Sequence, residues 1–104
     1  MLESLNLASF SEHLNTKFRI YANDSTPVEA ELVEAEDLGT TPRQERFSLI
    51  FHGPLEPFLV QQTYKIEHDR MGQLTLFLVP IGRDDKGFSY QAVFNRLLPT
   101  EAGT

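Results

Sequence analysis

Glu67, His68, Asp69 and Arg70 stand side by side between two apolar, alternating stretches. A histidine beside carboxylates can move protons, or can hold a metal when the fold brings further donors alongside. The obvious donor is His52, at the end of RFSLIFH. Two histidines and a carboxylate would suit zinc or iron. His52 and His68 lack a short-range ligand spacing, however, and the sequence does not set their distance. The simpler expectation is a solvated hairpin tip. Asp69 would bond its own turn backbone, and Gly72 would supply the residue that tolerates positive φ. No metal and no cofactor is expected on this reading. His13 is read as solvated or partly buried.

Other chemistry finds little footing. There is no glycine-rich phosphate loop, GxSxG elbow or HExxH pair, and no residue is assigned a catalytic role. With no cysteine, disulfides, thiolate metal sites and thiol nucleophiles are excluded.

Two stretches are better suited to binding. Glu29, Glu31, Glu34, Glu36 and Asp37 form an acidic strip with no base among them. They lie along a strand rather than in a tight glycine turn, which argues against calcium. They read as a solvated face that discourages edge pairing, or as a docking face for a basic partner. FHGPLEPFLVQQ places Leu55, Phe58, Leu59 and Val60 in a loop that its prolines keep out of regular strand. So many large apolar side chains must pack on something. They either cap one end of the core or offer contact to another protein.

These stretches must be held by a fold that 104 residues can build, which predicts a single β domain over 1–104. Hydrophobic residues at 40% and charged residues at 23% are globular values. Fifteen acids against nine bases give a formal charge of −6, and the pI is about 4.9. That balance repels phosphate backbones, so nucleic acid is not an expected partner. No basic leader and no apolar stretch of membrane-spanning length is seen, so the expected setting is soluble and cytoplasmic, away from membranes. Asn23-Asp24-Ser25 matches a glycosylation pattern and is read as chance.

The elements follow from periodicity. A helix is predicted over about 8–15, with Ser9 and Glu12 as a capping box and Leu7, Phe10 and Leu14 on one face. From Lys17 the period becomes two. Phe18, Ile20 and Ala22 share one face. Turn residues at 23–27 precede Val28, Ala30 and Leu32, which oppose Glu29 and Glu31. TTPRQE is a polar loop. Phe47, Leu49 and Phe51 alternate with Ser48 and His52, with Ile50 breaking the pattern. Tyr64, Ile66 and His68 share a face. After GQ, the stretch Leu76 to Val79 is apolar on both faces, predicting a strand buried on both sides, under the N-terminal helix. Phe88, Tyr90, Ala92 and Phe94 close the pattern, and 98–104 is expected to fray. About six strands with short connections and one short N-terminal helix predict a mainly β chain, a small antiparallel barrel or sandwich.

SFSEHLNTKF, AELVEAEDLG, ERFSLIFHGPLEPFLVQQTYKIEH, GQLTLFLVPIG and YQAVFNR together resemble a family of small bacterial proteins known as a domain of unknown function. The resemblance covers nearly the whole chain. Its motifs are a fold signature and carry no active-site residue. Relatives are sometimes encoded near phage-tail-collar-like proteins, which implies an accessory role beside a tail-like or fibrous assembly.

The expected function is therefore a non-catalytic interaction or assembly accessory module with a protein partner or self-association. Leu55, Phe58, Leu59, Val60, Glu29, Glu31, Glu34 and Glu36 are the candidate contacts. The alternatives are a barrel that binds a small ligand, and an enzyme using His52, His68 and nearby carboxylates. A core filled with Phe and Leu favours the module, and an open lined cavity favours the ligand binder.

Overall fold

A computed structural model describes residues 6–22, 26–39 and 41–97. Two expected features, the turn residues 23–25 with their glycosylation pattern and the tail 98–104, lie outside them. The helix α1 (Leu7–Ser11) is followed by six strands, β1 (Lys17–Tyr21), β2 (Pro27–Asp37), β3 (Gln44–Pro54), β4 (Gln62–His68), β5 (Gly72–Arg83) and β6 (Gly87–Leu97). They close into an antiparallel barrel in the order β1-β2-β3-β6-β5-β4. The chain is mainly β, as the period-two runs predict, and each described strand has a partner on both sides.

The alternation explains the core. Phe18, Ile20, Leu32, Phe47, Leu49, Phe51, Ile66 and Leu78 all point inward and are fully buried. The β1–β2, β3–β4 and β5–β6 connections lie at one end, called here the upper end. The β2–β3 and β4–β5 connections and α1 lie at the other. α1 drives Phe10 into the lower end, where its ring meets Phe94 at 5.4 Å, Phe47 at 6.0 Å and Phe18 at 6.5 Å between centroids. Leu59 fills the upper end. It is buried, and its backbone N–H donates to the Tyr90 hydroxyl at 2.9 Å.

Three expectations are corrected. The helix covers Leu7–Ser11 rather than about 8–15. Asn6, not Ser9, is its N-cap, accepting from the Ser9 N–H at 2.8 Å. Asn15 adopts φ 67°, and its N–H donates to the Leu32 carbonyl at 2.7 Å, turning the chain into β1. The strand at 76–79 is not buried on both sides, and α1 packs beside β2 instead. Leu76 and Leu78 point inward while Phe77 is half exposed. Finally, β3 runs into the proline-framed loop as far as Pro54, where Pro54 pairs with Gly87; the loop proper begins at Leu55.

Candidate functional site

Two side-chain constellations stand out, one at each end of the barrel. The lower one is built around His68. Alternation along β4 puts His68 on the same face as Tyr64 and Ile66, so the ring goes inward and is 5% exposed. Its Nδ1 accepts from the Arg70 N–H at 3.0 Å and the Met71 N–H at 3.2 Å. With Nδ1 accepting, the proton sits on Nε2, which donates to Thr16 Oγ1 at 3.0 Å. The Thr16 hydroxyl in turn donates to the His13 carbonyl at 2.6 Å. The ring lies against Phe18, with centroids 4.2 Å apart, and His13, at 4.7 Å, tilted to both.

The tetrad is thus split by the pleat. His68 is inside, while Glu67 and Asp69 face Arg19 on β1, at 3.6 Å and 2.9 Å. Gly72 has φ 78°, as the hairpin reading requires. The turn backbone is bonded by the His68 ring, a role the sequence reading gave to Asp69; the Asp69 carboxylate instead accepts from Arg19. Glu67 is held below the usual carboxylate range by hydrogen bonds from Gln73 and Tyr21, with Arg19 adding to them. Burial, with His13 beside it, pushes the His68 pKa below its ordinary value. Neutral His68 is therefore part of the fold. Folding disfavours its proton, so this contribution is complete above a pH of about 6.5 and is lost as pH falls towards the depressed folded pKa. Urea midpoints measured from pH 7 down to pH 5 should fall, and His68→Gln should flatten that slope.

The upper constellation lies where β1, β2, β3 and the 54–57 segment meet. A groove of about 640 Å³ is lined there by Lys17, Glu29, Glu31, His52, Pro54 and Glu56, among others. Its floor is formed by sheet pairing. Glu31 sits opposite both Lys17 on β1 and His52 on β3, and Glu29 sits opposite Arg19. His52 Nε2 lies 3.3 Å from Asp84 Oδ1. The Lys86 and Gly87 N–H groups, each at 2.8 Å from that oxygen, hold the Asp84 pKa below its usual value, and His52 adds to this. Asp84 is thus engaged by its own turn, and the His52 contact ties β3 to that turn.

The eight candidate contacts divide as follows. Glu29 and Glu31 line the groove. Glu34 and Glu36 continue the strip along β2, and a bulge at Val33 keeps them outward beyond it. Leu55, Phe58 and Val60 are exposed, whereas Leu59 is a core side chain. The Phe58 ring lies on Phe88 with centroids 4.8 Å apart. The strip has no base of its own, yet β1 brings Lys17 and Arg19 across from its first two glutamates. His52 and His68 are not brought together, since they sit at the upper end of β3 and the lower end of β4. Among the described residues, no three His, Asp or Glu gather as metal ligands would.

The sequence reading did not reveal the Thr16 and His13 partners of His68, or the Asp84 partner of His52. For His68 a signal was present, because it continues the Tyr64–Ile66 face. The other contacts depend on strand pairing across the barrel. Among the described residues no helix is long and apolar enough to cross a membrane.

A family model described as Domain of unknown function (DUF6916) matches residues 5–94. No curated protein and no solved structure matches the chain.

Proposed function

The chain belongs to this family, DUF6916, and from its geometry we propose a non-catalytic interaction module that docks a protein partner at the upper end of the barrel. The observation that carries the reading is the filled interior. Eight fully buried Phe, Ile and Leu side chains occupy the space between the strands, and Phe10 and Leu59 close the ends. Small-barrel ligand binders keep that space open. What the chain offers a partner is therefore its outside.

The upper end combines two useful properties. Leu55, Phe58 and Val60 provide exposed apolar area, which drives association. Glu29, Glu31 and Glu56 border the groove beside them, and the chain carries a net charge of −6. A partner segment with both apolar and basic side chains fits this combination, its charges adding mainly to on-rate and orientation. An accessory place in a tail-like assembly is the biological context we propose, on the strength of the resemblance alone.

Phe58→Ala tests the reading. Its ring is 47% exposed, so its loss should lower the melting temperature only slightly. Partner affinity should fall by about 2 kcal/mol, near thirtyfold, the scale of an anchoring aromatic. Binding should also slow as salt is raised. A large loss of stability with unchanged binding per folded molecule would overturn the docking site.

A further inference from the structure

We propose that His68 is an acid-released clasp: protonating its ring frees the β4–β5 turn and parts β1 from β4, so that the barrel opens along this one junction while its other strand pairings stay. This concerns the lower end and is independent of the partner site at the upper end. The junction is short. Three positions pair, Arg19 with Glu67, Ile20 with Ile66 and Tyr21 with Lys65. Side chains reinforce it, Tyr21 donating to Glu67 at 3.1 Å and Arg19 to Asp69 at 2.9 Å. His68 adds a further tie. It joins the turn, at the Arg70 and Met71 N–H groups, to Thr16 just before β1, and its ring lies against Phe18 on that strand.

The release follows from one lone pair. Nδ1 is the acceptor of the neutral ring, and two backbone N–H groups point at it, from 3.0 and 3.2 Å. An imidazolium carries donors on both nitrogens and has no acceptor. A proton arriving at Nδ1 would face two donors, so the turn must withdraw for the ring to hold it. The surrounding charge acts in the same direction. His13, Arg19 and Arg70 oppose a positive ring. Asp69 favours one, but its carboxylate already accepts from Arg19. Glu12, Lys17 and Glu29 line the same hollow. When the junction parts, β1 keeps five paired positions with β2, and β4 keeps seven with β5. The product is an open sheet whose edges are β1 and β4, with backbone groups free to pair. The open form binds the proton with the ordinary histidine pKa of about 6.5 and the closed form with a lower one. The opening equilibrium is therefore constant well above that pH and rises by up to about tenfold per pH unit below it.

Native-state amide exchange on the full chain, corrected for intrinsic rates, reads the opening. Between pH 7.5 and pH 5 the Arg70 and Met71 amides should lose protection by about five- to thirtyfold, and the amides shared by β1 and β4 should follow. Amides along β3 and β6 report unfolding of the whole chain. At pH 5 the junction amides should be at least about tenfold less protected than these, and urea below the unfolding transition should leave them nearly unchanged, as a local opening requires. His68→Gln has no proton to gain and should abolish the loss at Arg70 and Met71. Should that variant fail to fold, the wild-type ring signals serve instead, since the Arg70 and Met71 amide shifts should move with the His68 titration. Constant protection at Arg70 and Met71 overturns the proposal. So does equal protection of the junction and of β3–β6 at pH 5, a folded His68→Gln variant that keeps the loss, or amide shifts that ignore the ring.

Discussion

Replacing Phe10 by alanine should cost about 3–5 kcal/mol, the range for emptying a fully buried phenylalanine site. For a chain of this length that is about a fifth or more of the roughly 5–15 kcal/mol total that is typical. Phe10 is the only fully buried side chain of α1. A five-residue helix has no stability of its own, so tertiary contact through this ring holds it. The ring covers the Phe47–Phe94 pair, which stacks at 4.6 Å with planes 7° apart. Its loss should bare that pair as well as leave a cavity. Urea unfolding measures the effect, with Ser11→Ala, on the exposed side of the same helix, as the near-neutral control. A loss below about 1 kcal/mol, no more than an average substitution causes, would show that α1 does not seal the core.

The second large effect should come from a single methyl group. A Cβ on Gly87 would lie 1.8 Å from the Gly53 carbonyl oxygen and 3.0 Å from His52 Cε1. The obstacle is backbone, which no rotamer change relieves. Gly87→Ala must push β3 and β6 apart where Pro54 pairs with Gly87. It also disturbs the turn in which Gly87 N–H donates to Asp84 and its carbonyl accepts from the Asp84 N–H. We expect about 3 kcal/mol or more, the upper end for overpacking. Gly53→Ala is the control. Its Cβ would meet Ala30 and Tyr90 at 3.6 and 3.7 Å, ordinary contact distances, so a near-neutral or slightly stabilising result is expected. Equal melting temperatures for the two variants would contradict the packing.

Much of this architecture was legible because one physical rule, alternation against a core, runs through every strand. Phe18 and Ile20, Tyr64 and Ile66, and Tyr90 and Ala92 all face inward as their spacing predicts. The misreadings share a cause. Leu76 to Val79 is apolar without interruption, and sequence alone does not say whether a second layer covers the outer face. Among the described residues no element lies over Phe77, which is half exposed, so the strand is buried on one side only. The bulge at Val33 shifts the phase by one, which lets Glu31 and Glu34 both point outward although their spacing is odd. His68 carried two conflicting signals, its polarity and its place on the Tyr64–Ile66 face, and the face prevailed because Thr16 and two turn N–H groups satisfy its nitrogens. The division of the 55–60 segment into buried Leu59 and exposed neighbours was not legible, since it depends on the Tyr90 hydroxyl, some thirty residues away.

Barrel closure also has a kinetic side. The β1–β2, β2–β3, β4–β5 and β5–β6 pairs join strands adjacent in the chain and can zip from their turns. The β3–β6 and β1–β4 seams join strands far apart in sequence, so each must wait for a long loop to close. They differ in length, with eleven paired positions along β3–β6 but only three, Arg19 to Tyr21 against Glu67 to Lys65, along β1–β4. The short seam has the fewest backbone bonds to lose. It is where the cylinder should unzip first during native-state fluctuations, and where its last stave should fall into place on folding.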